Sequence, residues 1–472
     1  MEFSGAFLLG GNVATTIMRG ITNPDLFVDS PDVLMLGMFV VVLCVAMWLI
    51  LATVYGLPVS TTHSCIGGLV GMAVVAKGWN AVYWGQIGLV ALSWIITPVT
   101  SGLLSSLVFW LVRRFILRSR EPFKRGFKSY PYIIALTIGV NLFLVLYKSE
   151  SLNIPLAWYY ILLICVAVAA LIAVFVQFVI LPRHIRSIER EQSKKELELQ
   201  AQDLVVEVDV VKKVTEVPVT VEKTVTESEG AELGSEANEP ESEGAEPTLK
   251  STAASDDEMG SNSAEKKESR FDHLMEKQNI HAQLEDEKSK VYQVHKNAEV
   301  FDERTEKMFT YLQIITAVFN SFAHGANDVA NAIGPFAACI SIYQTGKASS
   351  EATPNTWCLV LGGAGIVVGL ACLGYKVMAA IGVNMVKVTP SRGFSIEIAS
   401  SLVVLFGSAI GLPLSTTHCK VGSTVGVGLV EGKNGVNWSL LYGVFAGWIF
   451  TIVICAVSTG LIFAFALYSP KL

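Results

Sequence analysis

Gly56-Leu57-Pro58-Val59-Ser60-Thr61-Thr62-His63 is written a second time in this chain, as Gly411-Leu412-Pro413-Leu414-Ser415-Thr416-Thr417-His418. Only Val59 and Leu414 differ. The likeness runs on downstream: Gly67 matches Gly422, Gly71 matches Gly426, and after a one-residue gap Asn80, Trp84 and Trp94 match Asn434, Trp438 and Trp448. Upstream, Leu9-Gly10 with Val13 and Ile17 aligns on Leu373-Gly374 with Val377 and Ile381. The chain therefore holds two copies of one module, and both copies are apolar.

The copies flank a different material. Of the 472 residues, 52% are apolar and 16% charged, where a soluble domain carries about 25% charged residues. Residues 183–308 hold 49 of the 76 charged side chains, 31 acidic and 18 basic. This distribution excludes an ordinary soluble enzyme, a secreted disulfide scaffold and a nucleic-acid binder, which needs a basic face. No Walker loop, metal cluster or catalytic triad is written in the chain, so an enzyme reading has no support. All eight cysteines lie in apolar stretches without a C-x-x-C pair, as buried apolar residues do. No basic n-region follows Met1, so no cleavable signal peptide is read there.

Stretches of about 20 apolar residues span a bilayer as helices. Clear candidates are 33–55, 81–112, 131–147, 156–182, 357–381, 395–410 and 438–468. Three more, 57–76, 309–345 and 411–430, are apolar but interrupted by Gly, Pro or polar runs, and 3–18 is a short stub. The expected fold is all-α: a polytopic membrane protein of about ten hydrophobic segments in two inverted repeats with broken or re-entrant helices. Lys and Arg favour the cytoplasmic side. The basic loop 113–128 and the cluster Arg183, Arg186 and Arg190 are separated by two spans, so both can be cytosolic, with 148–155 outside. The expected organisation is a first repeat over 1–182, a polar cytosolic linker over 183–308 and a second repeat over 309–472. The linker has too little apolar surface to offset chain entropy and is expected to be mostly disordered, with charged helices over 186–204 and 264–308. It repeats ESEGAE at Glu227–Glu232 and Glu241–Glu246. A tether is the plain reading, and phosphorylation at Ser228 or Ser242 is the alternative.

Duplicated halves with Gly/Pro-interrupted segments at corresponding places mark secondary transporters. The interruptions expose helix N-termini, whose N–H groups suit anions. The Ser-Thr-Thr run behind each Gly-Leu-Pro adds hydroxyl donors. Two such runs facing each other across the repeat interface would grip an oxyanion. A further element occurs once, His324-Gly325-Ala326-Asn327-Asp328-Val329-Ala330-Asn331-Ala332. On a helix, Asn331 shares a face with Asn327 and Asp328. An acid with two amides at membrane depth suits a small hard cation, and intramembrane acids are functional by default.

HGANDVANAIGP (324–335) and the paired GLP[VL]STTH motifs closely resemble the inorganic phosphate transporter (PiT) family of sodium- or proton-coupled phosphate symporters. The resemblance covers 1–182 and 309–472. It implies that phosphate binds near the midplane between inverted repeats. Asn327, Asp328 and Asn331 would serve ion and phosphate binding, with Asp328 and Asn327 as sodium ligands. Ser60, Thr61, Thr62, Ser415, Thr416 and Thr417 would donate to phosphate. Glu397, in Gly393-Phe394-Ser395-Ile396-Glu397, matches a family acid needed for transport. The expected partners are inorganic phosphate, a coupling sodium ion or proton and membrane lipid, with no cofactor and no nucleic acid. Monomer and homo-oligomer both stay open. The plasma membrane is the default address and an organellar membrane the alternative.

The family's first GANDVANS segment has no counterpart here, and the chain is expected to begin inside the second helix of its first repeat as an incomplete copy. The reading from another class is a receptor or scaffold that signals phosphate without transporting it, or a shortened and inactive transporter.

Each candidate has a plainer reading. Asp328 could be a buried structural cap, and the Ser and Thr runs interhelical hydrogen-bond glue. Glu397 could pair with Arg392 or Lys387. His63 and His418 suit orienting a neighbour or capping a broken helix. Lys420, with Cys65 at its place in the first copy, suits either holding anion charge or snorkelling. Glu2 is given no role.

Overall fold

The computed structural model describes residues 1–147, 155–215, 287–348, 353–382 and 384–469. Both ESEGAE repeats, with Ser228 and Ser242, lie outside them, as does the first half of the 264–308 stretch expected to be helical. Every regular element among the described residues is helical, apart from an isolated bridge between Thr22 and Val82. The all-α expectation is thereby met. One compact unit comprises Met1–Ile188 and Asn279–Leu472, and a second comprises Glu189–Gln278.

All seven uninterrupted stretches form helices long and apolar enough to cross a membrane, by length and composition. They are α2 (Pro31–Val54), α4 (Trp84–Val112), α5 (Pro122–Tyr147), α6 (Trp158–Phe175), α10 (Thr356–Gly382), α11 (Pro390–Ala409) and α13 (Trp438–Tyr468). A π-turn prolongs α4 to Leu117, and another leads α6 into α7 (Leu181–Thr215). Their large apolar side chains point outward as well as inward: Leu103, Leu171, Phe178, Ile449 and Phe465 are all exposed. Water would not tolerate such a surface, whereas lipid does. The chain is a multi-pass membrane protein.

The interrupted stretches behave differently from one another. Residues 57–76 and 411–430 break as expected. α2 and α11 each end at a glycine in the left-handed region, Gly56 at φ 66° and Gly411 at φ 70°, where a side chain would be strained. The same wide turn closes both, from Leu57 N to Ala52 O at 2.9 Å and from Leu412 N to Gly407 O at 3.0 Å. A short extended run then leads to α3 (Thr61–Lys77) and α12 (Thr416–Val430). At 17 and 15 residues they reach roughly 26 and 23 Å, short of the ~30 Å hydrocarbon core. Residues 309–345 correct the expectation. They lie within one continuous helix, α9 (Glu303–Thr345, 43 residues), with Pro335 inside it. Proline removes one intrahelical hydrogen bond, but α9 is packed between α1 (Glu2–Gly20) and α11, and such packing holds the helix together.

The copies are interlaced. α3 packs on α13 of the other copy, and α12 packs on α4. At these crossings Gly67 and Gly71 meet the Ile452 and Ala456 carbonyls, as Gly422 and Gly426 meet those of Pro98 and Gly102. A Cβ on Gly422 would stand 2.2 Å from Pro98 O, so only glycine admits the approach, as in other membrane helix pairs.

One end of the bundle carries the basic loop. There Glu299, between α8 (Lys290–Asn297) and α9, accepts from Arg113 Nε at 2.8 Å and from Arg118 Nε and Nη2 at 2.8 and 2.9 Å. Arg113 also donates to Val430 O, the last carbonyl of α12. Arg392, 1% exposed, pairs with the buried Glu431.

Candidate functional site

The two broken-helix motifs meet head to head. Ser60 caps α3 by accepting from His63 N at 3.3 Å, and Ser415 caps α12 by accepting from His418 N at 3.3 Å. The two hydroxyls lie 2.9 Å apart. Around them the contacts are reciprocal: Thr62 Oγ1 donates to Leu414 O at 2.8 Å, and Thr417 Oγ1 donates to Val59 O at 3.3 Å. Two positive helix ends thus converge on one buried point. Serine, with a short side chain that reaches back to the third N–H, is suited to the cap position.

The histidines do not cap. The His63 ring lies tilted against Trp94 with centroids 3.9 Å apart, and His418 stacks on Trp448 at 3.5 Å. His63 Nδ1 donates to Trp448 O, and His418 Nδ1 lies 2.5 Å from Ser415 Oγ.

α9 brings the third part. Asp328 Oδ2 accepts from Thr416 Oγ1 at 2.7 Å and lies 2.8 Å from His324 Nε2. Its other oxygen accepts from Asn331 Nδ2 at 3.2 Å, and that amide also reaches Thr61 Oγ1 at 3.1 Å and Thr62 Oγ1 at 3.4 Å. Asp328, Asn331, Thr61, Thr62 and Thr416 therefore form one connected cluster, beside the Ser60–Ser415 contact. Asn327 is buried close by, one turn along, and donates to Ser408 Oγ at 3.2 Å. The amide oxygens of Asn327 and Asn331 are buried without a hydrogen-bond partner. Two bare amide oxygens near a carboxylate are ligands for a hard cation, and a buried carbonyl left unpaired is otherwise costly.

Glu397 stands apart from this cluster. It pairs with Lys420 and accepts from Asn320 Nδ2 at 2.6 Å. Neither Arg392 nor Lys387 is its partner. Sequence reasoning also passed over Glu2, whose carboxylate lies 2.7 Å from His324 Nδ1 and joins the Asp328 cluster through it. Nothing in the pattern around Glu2 announced this, because the contact is made by the crossing of α1 and α9.

The signature of the PHO4 phosphate transporter family spans residues 1–459. The chain belongs to the phosphate transporter family. Members of this family are transporters, not enzymes. Sodium-dependent phosphate transporter 1 of Xenopus tropicalis is 30% identical to it over 99% of this chain and 89% of the relative. The Homo sapiens protein of the same name matches it equally, at 30% identity over the same shares. A solved structure of "the sodium-dependent phosphate transporter" superposes with a TM-score of 0.68 at 27% identity, covering 99% of this chain and 88% of that one. The resemblance drawn from HGANDVANAIGP and the STTH motifs is thereby borne out across both apolar blocks.

Proposed function

We propose that this chain is a sodium-coupled symporter of inorganic phosphate, seated in the plasma membrane, in which the two copies act as inverted repeats about the Ser60–Ser415 contact. One observation carries the reading: two helix N-termini, a carboxylate and two unpartnered amide oxygens converge in one buried place. The converging helix ends and the hydroxyls of Ser60, Thr61, Thr62, Ser415, Thr416 and Thr417 supply positive potential and donors for an oxyanion. Asp328, with Asn327 and Asn331, supplies oxygens for sodium.

The two ligands need each other. Moving an isolated ion into a low-dielectric site costs tens of kcal/mol by Born solvation, and Asp328 would repel phosphate in the absence of a cation. Sodium at Asp328 cancels that repulsion, so phosphate enters only behind the cation, and transport is coupled. Sodium is favoured over the proton because the related transporters bear that dependence in their names.

The test is uptake of radiolabelled phosphate into proteoliposomes under an inward sodium gradient. Wild type accumulates phosphate only with sodium present, and Asp328→Asn abolishes accumulation while the protein still elutes as a folded species. Sodium-driven uptake by Asp328→Asn at the wild-type rate would refute the assignment.

A further inference from the structure

The polar face of α9 does not stop at the Asp328 cluster. Asn331, Asp328, His324 and Asn320 follow one another at spacings of three or four residues, the spacing that keeps side chains on one helix face. Because α9 starts at Glu303 beside the basic end of the bundle, the face leads from Asp328 toward that end. Asn320 lies eight residues before Asp328, roughly 12 Å along the axis. α12 runs the same way from the centre. Thr416 holds Asp328, Lys420 follows one turn later, about 6 Å on, and Val430 at its end accepts from Arg113 of the basic loop. Lys420, Glu397 and Asn320 therefore sit between the centre and the basic end along these two helices.

Three observations set this pair apart from a packing device. Lys420 and Glu397 side chains are 30% and 17% exposed, whereas the ion pair Arg392–Glu431 is sealed at 1% and 5%. Lys420 and Glu397 are thus reachable from outside the protein core. The pair is also confined to one copy. At the matching places the first copy has Val42 and Cys65, so the shared helix crossing is built without any ion pair. Finally, Glu397 is held by Asn320 as well as by Lys420, so the carboxylate keeps a donor when the ammonium turns elsewhere.

We propose that Lys420 is a second oxyanion station: it exchanges Glu397 for phosphate and passes that anion between the Asp328 centre and the basic end of the protein. With phosphate absent, Glu397 neutralises the ammonium and keeps stray anions out. With phosphate arriving, the ammonium and the Asn320 amide offset part of its desolvation. The station rests on the phosphate-transport reading above and adds a separate site to it.

The test uses the full-length purified chain and an amine-reactive reagent, trinitrobenzene sulfonate, with labelling of Lys420 followed by peptide mass spectrometry. Inorganic phosphate slows labelling of Lys420 at least threefold, gluconate does not, and exposed Lys124 is unaffected by either. The protection persists in Asp328→Asn, because the station is distinct from the centre. In uptake assays Lys420→Met lowers the maximal rate at least tenfold while the KM for phosphate outside changes less than twofold, and Lys420→Arg retains most of the rate. Equal labelling of Lys420 with and without phosphate, or protection lost in Asp328→Asn, overturns the second station. If wild type transports phosphate and Lys420 is unprotected, only this inference falls. If wild type shows no sodium-driven uptake, the transport reading falls and takes the station with it.

Discussion

Arg392 and Glu431 provide the sharpest test of how the basic end of the bundle is held. The guanidinium is the largest fully buried side chain among the described residues, and its Nε donates to Glu431 Oε1 at 3.1 Å. Removing one partner of a buried ion pair costs about 3–5 kcal/mol, because the other charge is left without its counterion. Arg392 keeps some company after the loss. Its Nη2 donates to Glu299 O at 2.7 Å, its Nη1 to Thr389 Oγ1 at 3.1 Å, and it lies 5.2 and 5.7 Å from the ring centroids of Phe301 and Phe109. These residual contacts reduce the expected cost of Glu431→Ala to roughly 2–3 kcal/mol. In a body of this size that is about 3–4 °C in Tm.

The chain carries its own reporter for the measurement. Six of its eight free thiols are buried, so a thiol-reactive fluorophore reads unfolding in detergent as they become accessible. Glu121→Ala serves as the control, since Glu121 and Lys124 form an ion pair that is 65% and 63% exposed and exposed pairs contribute little. The double variant Arg392→Met/Glu431→Leu removes both charges and returns close to wild type, because two apolar groups need no counterion. The reasoning fails if Glu431→Ala melts with the Glu121→Ala control, or if the double variant is no more stable than the single one.

Two further expectations concern the interlaced crossing and the basic end. Gly422→Val places its Cβ against Pro98 O at 2.2 Å and should abolish the folded monodisperse species on size exclusion. Gly85→Val, with open space around its Cβ, should not; equal behaviour of the two would show that the α4–α12 crossing is looser than described. Burial pushes the Glu299 carboxyl up, but the hydrogen bonds from Arg118 and Arg113 outweigh it and hold the group below the ordinary carboxylate range. Its contribution to stability is therefore full above the unfolded value of about 4.3 and is lost as pH falls through the lowered folded value. The Tm gap between wild type and Glu299→Gln should be constant from pH 8 to 6 and shrink only in strong acid, and a gap that widens on acidification would contradict that sign.

Much of the fold is local arithmetic and could be read directly. A run of twenty apolar residues has one low-energy answer in lipid, a helix, so all seven uninterrupted stretches were legible, although α5 and α11 begin several residues ahead of the apolar runs read for them. The breaks at Gly56 and Gly411 were equally legible, because glycine followed by Leu-Pro leaves the helix by its own backbone preferences. Pro335 shows the limit of that logic. Read alone it interrupts 309–345, yet α9 runs through it, since the packing of α1 and α11 outweighs one missing hydrogen bond.

The candidate site divides the same way. Repetition of STTH and the spacing of Asn327, Asp328 and Asn331 are properties of the chain, and they named most of the side chains in the cluster. Which of them touch is decided by contacts between residues far apart in the chain: Ser60 with Ser415, Thr416 with Asp328, Asn331 with Thr61. Glu2 on His324 is likewise a distant contact, and Lys420 on Glu397 joins two different helices, so no periodicity links either pair. The sequence by itself determined the helices, their breaks and the donors each one carries, because those follow from backbone preference and solvent. Only the tertiary structure decided that two helix ends face each other and that Lys420 answers Glu397, because a charge or a dipole acts on whatever the fold brings near it.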